Sequence, residues 1–412
     1  MKRALDEDLS TVPSSAAHSD AAVQPGAAVA LAADRHHLKR AREEDSSAAA
    51  HPAAPAQPGG AIAVAADPHD WAPLLRNLPS APAEHIFRLV TYNVNGVRNR
   101  INNGRPEAGF VLALRSMRPN VLALQEVKMA RADASQALLK FSAVTVAQPK
   151  LTARHLNLPD AFKAQPGVAT LLGPGVEVAR AERDLPTRFR SEAGGEDSLF
   201  RVLTLWLPRE RVVLVNVYAP NSGDDGKHAE RRAHWDSAFR GFLGSLTRGE
   251  SLAWPQRQPP SLFGAKPLTI EQTAQAGAAA QLQPTDASTY AGRVVVAGDL
   301  NVLPTDEDYQ RPTGSRVAGA SGAERAAHAR LLADCGLRDV WRALHPGLPG
   351  YSFVNSNWRG RGVLAARFDG VLVSEALLGA VERIWVADHA PRGDHLPLCV
   401  DFDFARCAAV ER

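Results

Sequence analysis

Nine polar residues stand where apolar runs stop or embed a single charge: Asn93, Asn95, Glu126, Tyr218, Asp299, Asn301, Asp369, Asp394 and His395. Oxygen donors dominate the set and it holds one imidazole. That inventory suits a hard cation, Mg²⁺ or Mn²⁺, whereas zinc wants several His or Cys ligands. A magnesium ion held by one or two protein carboxylates keeps positions for water and substrate phosphate, so phosphoester hydrolysis is the natural chemistry. Such a reaction needs an in-line nucleophile, charge stabilisation on the non-bridging oxygens and help for the leaving alkoxide. Neutral donors such as Asn and Tyr supply the second need without gripping the metal too tightly.

Each residue also has an ordinary reading. Asn93 and Asn95 could cap a turn, and Glu126, before Val127-Lys128, could be an ordinary solvated acid or half of a surface ion pair. Tyr218 could end a strand, Asp369 could pair with Arg367, and Asp394-His395 could be loop polarity. Asp369 is the firmest of these, because a carboxylate inside an apolar strand must find a partner. Singly the ordinary readings win, but the joint recurrence of these residues at strand ends does not look like chance.

The elements that must position these groups are short apolar strands. Val294-Val295-Val296-Ala297 is wholly apolar, stops at Gly298 and presents Asp299 and Asn301; Leu300, between them, is expected in the core. The spacing predicts strands at Phe87–Tyr92, Val121–Leu124, Val168–Leu172, Arg201–Leu207, Val212–Val217, Arg367–Val373, Arg383–Val386 and Leu398–Phe404. Helices are predicted over Ala108–Met117, His228–Leu246 and Ala323–Leu332, the second with Trp235, Phe239, Phe242 and Leu246 on one face. The four-residue link Pro208–Arg211 reads as a hairpin, so antiparallel pairs accompany the helix crossovers and the class is α/β with mixed sheets.

The chain has 412 residues, a formal net charge of +3 and three cysteines, Cys335, Cys399 and Cys407. No apolar run approaches a membrane span, and the cysteines offer neither a disulfide framework nor zinc spacing. Residues 1–83, rich in Ala, Pro and Ser, read as a disordered tail, and 84–406 as the catalytic domain with an inserted surface loop at about 251–291. Lys2-Arg3 and Lys39-Arg40-Ala41-Arg42 fit a nuclear-localisation signal or scattered charge in a solvated tail. The nucleus is the expected compartment on that basis, with the mitochondrion as the alternative, although Asp6, Glu7 and Asp8 count against a transit peptide.

Six blocks in order carry a resemblance: Thr91-Tyr92-Asn93-Val94-Asn95-Gly96, Leu124-Gln125-Glu126-Val127-Lys128, Asn216-Val217-Tyr218-Ala219-Pro220-Asn221, Gly298-Asp299-Leu300-Asn301-Val302, Arg367-Phe368-Asp369 and Gly393-Asp394-His395-Leu396-Pro397. Over about His85 to Phe404 the chain resembles the exonuclease III type apurinic/apyrimidinic endonucleases of the endonuclease/exonuclease/phosphatase superfamily. The resemblance implies a four-layer α/β sandwich, two packed mixed β-sheets flanked by helices. It implies a monomer that acts on double-stranded DNA with abasic sites, hydrolysing the phosphodiester on their 5′ side, with 3′-exonuclease or 3′-phosphodiesterase side activities. Alternatives are another phosphoesterase of the same fold, acting on RNA or inositol or lipid phosphates, and a catalytically silent DNA-binding paralogue.

The resemblance also assigns roles. Asn95, Glu126 and Asp394 would hold Mg²⁺, with Asp299, Asn301 and His395 as ligands of a second metal position. Asp299 would handle the attacking water, and His395, oriented by Asp369, would contact the phosphate. Asn93, Tyr218 and Asn301 would be further donors, Asn221 would lie near the DNA backbone, and Phe353 would line the abasic-sugar pocket. Gly393, Gly370 and the Ala365-Ala366 pair depart from the family pattern, as does the acidic Asp224-Asp225; the first two are expected to loosen the surroundings of His395 and the third to widen the pocket.

Overall fold

Strands with apolar residues at nearly every position bury both faces. Phe87–Asn93 and Val294–Asp299 are of this kind, with every residue buried. The computed structural model describes residues 82–97, 101–102, 105–106, 114, 116–134, 138, 153–160, 166–255, 287–360, 362–388 and 393–407. Most of the expected tail with both basic segments, most of the Ala108–Met117 helix and residues 256–286 of the expected loop lie outside them.

Among the described residues the strands form two six-stranded mixed sheets. The first runs Val381–Val386, Leu398–Phe402, Phe87–Asn93, Val121–Gln125, Val168–Leu172, Ala153–Asn157. The second runs Leu337–Asp339, Asp369–Ser374, Val294–Asp299, Val212–Tyr218, Val202–Leu207, Arg180–Arg183. Each has one parallel pair at its centre, Phe87–Asn93 with Val121–Gln125 and Val294–Asp299 with Val212–Tyr218. Parallel partners end on the same edge, so Asn93 stands opposite Gln125 and Asp299 opposite Tyr218. The antiparallel neighbour begins where its partner ends, which sets Asp369 opposite Asp299.

Alternation along these strands builds three apolar layers. Leu89, Val121, Ala123, Leu214, Val295, Ala297, Val371 and Val400 fill the space between the sheets. Val294 and Val296 turn outward onto Trp235, Phe239 and Phe242 of the helix Ala229–Thr247. Val90, Tyr92, Leu122 and Leu124 turn the other way, onto Leu114, Met117 and Leu138. The result is the expected four-layer sandwich. A buried polar bridge joins the sheets across the first layer: Gln125 Nε2 donates to Asn216 Oδ1 at 2.8 Å, and Asn216 Nδ2 donates to Ala169 O at 3.0 Å.

A small third sheet, Tyr309–Gln310, Leu364–Ala366 and Phe353–Asn355, packs at the site edge and pairs Phe353 with Ala366. The helix Gly322–Cys335 covers the second sheet; it starts on a Ser321–Glu324 capping box and stops at Gly336, whose φ is 60°. Both ends of the span expected as a surface loop belong to the core. Leu252 and Tyr290 are buried in the outer layer of the second sheet, and Trp254 stacks edge-on against Trp206 and Phe242. Among the described residues no helix is long and apolar enough to cross a membrane.

Candidate active site

The site grows from the end of the Val294–Asp299 strand. A side chain at Gly298 would bring its Cβ to 1.9 Å from the Val217 carbonyl oxygen, so only glycine lets the parallel pair close here. Asp299, 2 % exposed, then accepts from the Asn301 amide at 2.9 Å through Oδ1 and from Asn93 Nδ2 at 2.9 Å through Oδ2. Asn93 comes from the other sheet, and its Nδ2 also donates to Glu126 Oε1 at 2.9 Å. One carboxamide thus spans two carboxylates from different strand ends.

Asn95, Glu126 and Asn301 all adopt left-handed backbone, with φ of 42°, 50° and 46°. Such conformations cost roughly 1–3 kcal/mol each and persist where the surroundings over-determine them, commonly at functional sites. Here the turn aims Asn95 across the site, where its Nδ2 donates to Asp394 Oδ2 at 2.9 Å. Its amide donates to Asn93 Oδ1 at 3.0 Å, so the turn-capping reading of Asn93 is also true. The ion-pair reading of Glu126 holds as well: Lys128 Nζ lies 2.5 Å from Glu126 Oε2, and it donates to Asn95 Oδ1 at 2.6 Å.

His395 sits opposite, bonded through Nδ1 to Asp369 Oδ2 at 2.7 Å, with Nε2 3.9 Å from Asp299 Oδ2. The Arg367 reading of Asp369 fails, because Arg367 is committed to Asp308 at 2.6 Å and Asp339 at 2.9 Å. Phe353 braces the imidazole, ring centroids 5.0 Å apart and edge to face. Tyr218, half-buried, hydrogen-bonds Glu126, and Arg201 lies over its ring at 5.2 Å.

Electrostatics separate these groups. Burial pushes the Asp299 carboxyl up to about 7, against the pull of the His395 charge. Burial would lower the His395 imidazole, but the Asp369 carboxylate overrides it and holds the ring up at about 10. Burial also raises Glu126, and the hydrogen bonds from Asn93 and Lys128 outweigh it to leave that carboxyl below its usual range. Burial and the two carboxylates Glu126 and Asp299 keep the Tyr218 hydroxyl protonated.

A family model described as the endonuclease/exonuclease/phosphatase family matches residues 90–395. The chain belongs to that family. It is 24 % identical over 316 residues to an exodeoxyribonuclease of Bacillus subtilis (strain 168), covering 76 % of this chain and 98 % of the relative. It is 26 % identical over 257 residues to recombination repair protein 1 of Drosophila melanogaster, 60 % of this chain and 31 % of that one. The solved AP endonuclease from Leishmania major shares the fold, with a TM-score of 0.54 and 23 % identity over 77 % of this chain and 87 % of that one.

Enzymes of the endonuclease/exonuclease/phosphatase family are metal-dependent, and the donors here fit a hard cation. Asp299, Asp369 and His395 offer ligand atoms within 4.8 Å of one another, and buried Asp369 Oδ1 has no hydrogen-bond partner. At Glu126 and Asn95 the Lys128 ammonium already sits between two of the three oxygens expected to hold Mg²⁺, a protein cation in the place of a metal. Hydrogen bonds and ring contacts link the expected site residues into one set, but the three whose ligand atoms cluster within 4.8 Å include Asp369, expected to orient His395, and not Glu126 or Asp394.

Several expectations about the family departures change. Gly370 leaves no void, because Leu300 Cδ1 lies 2.8 Å from where its Cβ would be. Ala366 is a fully buried residue of the third sheet's middle strand, packed in a cluster with Leu303, Trp358 and Phe368, so it is not exposed on a cleft wall. Asp224 latches a neighbouring loop by accepting from the Ala318 amide at 3.2 Å. Asn301, expected as a phosphate donor, already donates through Nδ2 to Ala219 O at 2.9 Å and accepts from Asn221 Nδ2 at 3.0 Å, so it braces two loops. Sequence reasoning missed Lys128, Arg201 and the Gln125–Asn216 bridge, although a carboxamide inside an apolar strand, as at Asn216, is itself a signal that a buried partner exists.

Proposed function

We propose that the protein is a Mg²⁺-dependent DNA repair endonuclease that cuts the phosphodiester on the 5′ side of an abasic site in duplex DNA. The observation that carries the reading is the facing pair of Asp299 and His395, a carboxylate raised toward neutrality 3.9 Å from an imidazolium. A phosphate docked over the pair would have a base beside one edge and a proton-bearing donor beside the other. The AP endonuclease and exodeoxyribonuclease names of the relatives favour DNA over lipid or inositol phosphates.

Asp299, held by Asn93 and the Asn301 amide, takes the proton of the attacking water. His395, held by Asp369, donates Nε2–H to a non-bridging oxygen. Asn93 and the Tyr218 hydroxyl add neutral donors as charge develops. Glu126, Asn95 and Asp394 would hold the metal, which supplies Lewis-acid stabilisation of the phosphate charge. Phe353 would stack beside the extruded sugar and Asn221 would lie along the backbone; the abasic sugar would have to leave the helix to reach this pocket.

A 3′-exonuclease is the second reading, favoured by the exodeoxyribonuclease relative aligned over nearly its full length. One assay separates the two: a duplex with a single internal tetrahydrofuran abasic analogue, beside an undamaged duplex with a recessed 3′ end, each with and without Mg²⁺. A Mg²⁺-dependent nick at the analogue supports the first reading. Digestion of the recessed end alone overturns it in favour of the second.

A further inference from the structure

We infer that Arg232 is a positioning residue for this site, clamping from the helix Ala229–Thr247 the two strand-end loops that carry Tyr218 with Asn221 and Asp299 with Asn301. The inference rests on the function proposed above for that site. The Arg232 side chain is 4 % exposed although it occurs in the polar stretch Ala229-Glu230-Arg231-Arg232-Ala233. Arg232 Nη1 donates to the Pro220 carbonyl at 2.9 Å and to the Asn301 carbonyl at 2.8 Å, and Nη2 donates to the Leu300 carbonyl at 3.1 Å. Nε donates to Asp236 Oδ1 at 2.8 Å, one helical turn on, which fixes the plane of the group.

The three carbonyls lie beyond the last paired residues of their strands, Tyr218 and Asp299, where a side chain must do what a ladder partner does elsewhere. Pro220 and Asn301 belong to loops from two different strands, so one planar, always-charged fork helps the Asn301 carboxamide to fix their separation. Asn301 is also the residue that holds Asp299 Oδ1 through its amide while its backbone stays left-handed. Loosening its carbonyl would let that turn relax, and the water-handling carboxylate would move with it. Lysine has a point charge on a flexible stem and cannot hold three carbonyls in a fixed plane.

A groove of about 360 Å³ between this helix and Gly322–Cys335 is lined by Arg232, Asp236, Ser321, Glu324 and Arg330. It gives a small cation a route to the guanidinium position. The test uses Arg232→Ala and Arg232→Lys, each measured for nicking of the tetrahydrofuran duplex and for amide hydrogen exchange. The expected result is a kcat lower by about a hundredfold with KM within about twofold, since misplacing a catalytic group by an ångström has that effect. Exchange should quicken at Ala219 and Asn301 and stay unchanged in Phe87–Asn93, and millimolar guanidinium should restore part of kcat to Arg232→Ala but none to Arg232→Lys. An unchanged kcat, or a loss that merely follows a lower melting temperature with exchange raised throughout the chain, would overturn the inference. If the wild-type protein leaves the duplex uncut, the proposed activity fails separately, and the exchange pattern alone still decides whether Arg232 orders the two loops.

Discussion

Among the described residues His395 makes one side-chain hydrogen bond, from Nδ1 to Asp369 Oδ2 at 2.7 Å, while the other Asp369 oxygen is buried without a partner. The imidazole's charge and its orientation therefore depend on the same carboxylate. A structural ion pair would satisfy both oxygens; this one leaves a lone acceptor at the floor of the site.

Replacing that carboxylate separates charge from shape. Burial lowers the His395 pKa, while the Asp369 charge and hydrogen bond, with the Asp299 and Asp394 charges adding to them, hold it up at about 10, so Asp369→Asn is expected to bring it down toward the ordinary histidine value of about 6.5. Nicking should fall by about a hundredfold or more, because the donor facing the phosphate is then neutral at working pH. An NMR titration of the His395 ring protons in metal-free wild type and variant measures the first effect. A ring that still titrates near its wild-type value in Asp369→Asn would show that another group holds the charge.

In the proposed site Lys128 and a divalent metal would compete for the same oxygens. Removing an ammonium 2.5 Å from Glu126 Oε2 relieves like-charge repulsion on an incoming cation, so Lys128→Met should tighten Mn²⁺ binding by roughly three- to tenfold. Glu126→Gln should weaken it by about tenfold or more, because a carboxylate ligand is lost. Titration calorimetry with Mn²⁺ measures both without any substrate. Weaker binding in Lys128→Met would mean that the lysine orients the ligands and does not displace the metal.

The main strands and the site were legible in the sequence for one reason: an apolar run that stops at a polar residue marks both a buried strand and its tip. Val168–Leu172 has the bounds its composition predicts, and Asn93, Glu126, Tyr218 and Asp299 converge because each ends such a run. Arg180–Arg183 was not legible, since a half-exposed edge strand of alternating charge has no apolar period. The three-residue strands Leu337–Asp339 and Phe353–Asn355 are too short to show one. Arg232 reads as solvated charge on a helix, and only the path of the 299–301 loop behind it reveals what it holds. Lys128 was hidden similarly, since its reach depends on left-handed backbone at Asn95 and Glu126 that no local pattern announces.

Gly298 and Gly370 face each other across the antiparallel ladder of Val294–Asp299 with Asp369–Ser374, for different reasons. Gly298→Ala drives a methyl into the rigid Val217 backbone and should leave no folded protein. Gly370→Ala meets only the Leu300 side chain, which can shift, so it should cost about 1–2 kcal/mol. Leu300→Ala alone should cost about 2–4 kcal/mol as a core truncation. Urea unfolding of the double variant should lose less than the sum of the two, because the new methyl fills space that Leu300 vacates. Strict additivity would mean that the two side chains do not share one volume.

Acid should weaken the fold through a residue outside the site. His328 lies on the buried side of Gly322–Cys335, 8 % exposed, and its Nε2 has no hydrogen-bond partner. Burial lowers its pKa to about 4, with Asp339 and Asp308 opposing and Arg367 and Arg232 assisting. The folded value is below the unfolded one, so the unfolded chain takes up the proton first as pH falls. The contribution is intact above pH of about 6.5, declines as pH drops toward 4, and amounts to about 3 kcal/mol over that window. His328→Leu removes the titration while keeping an apolar group in the helix. Urea midpoints at pH 7.5 and 4.5 should therefore fall further in the wild type than in the variant, and equal falls would exclude His328 as the source of the acid sensitivity.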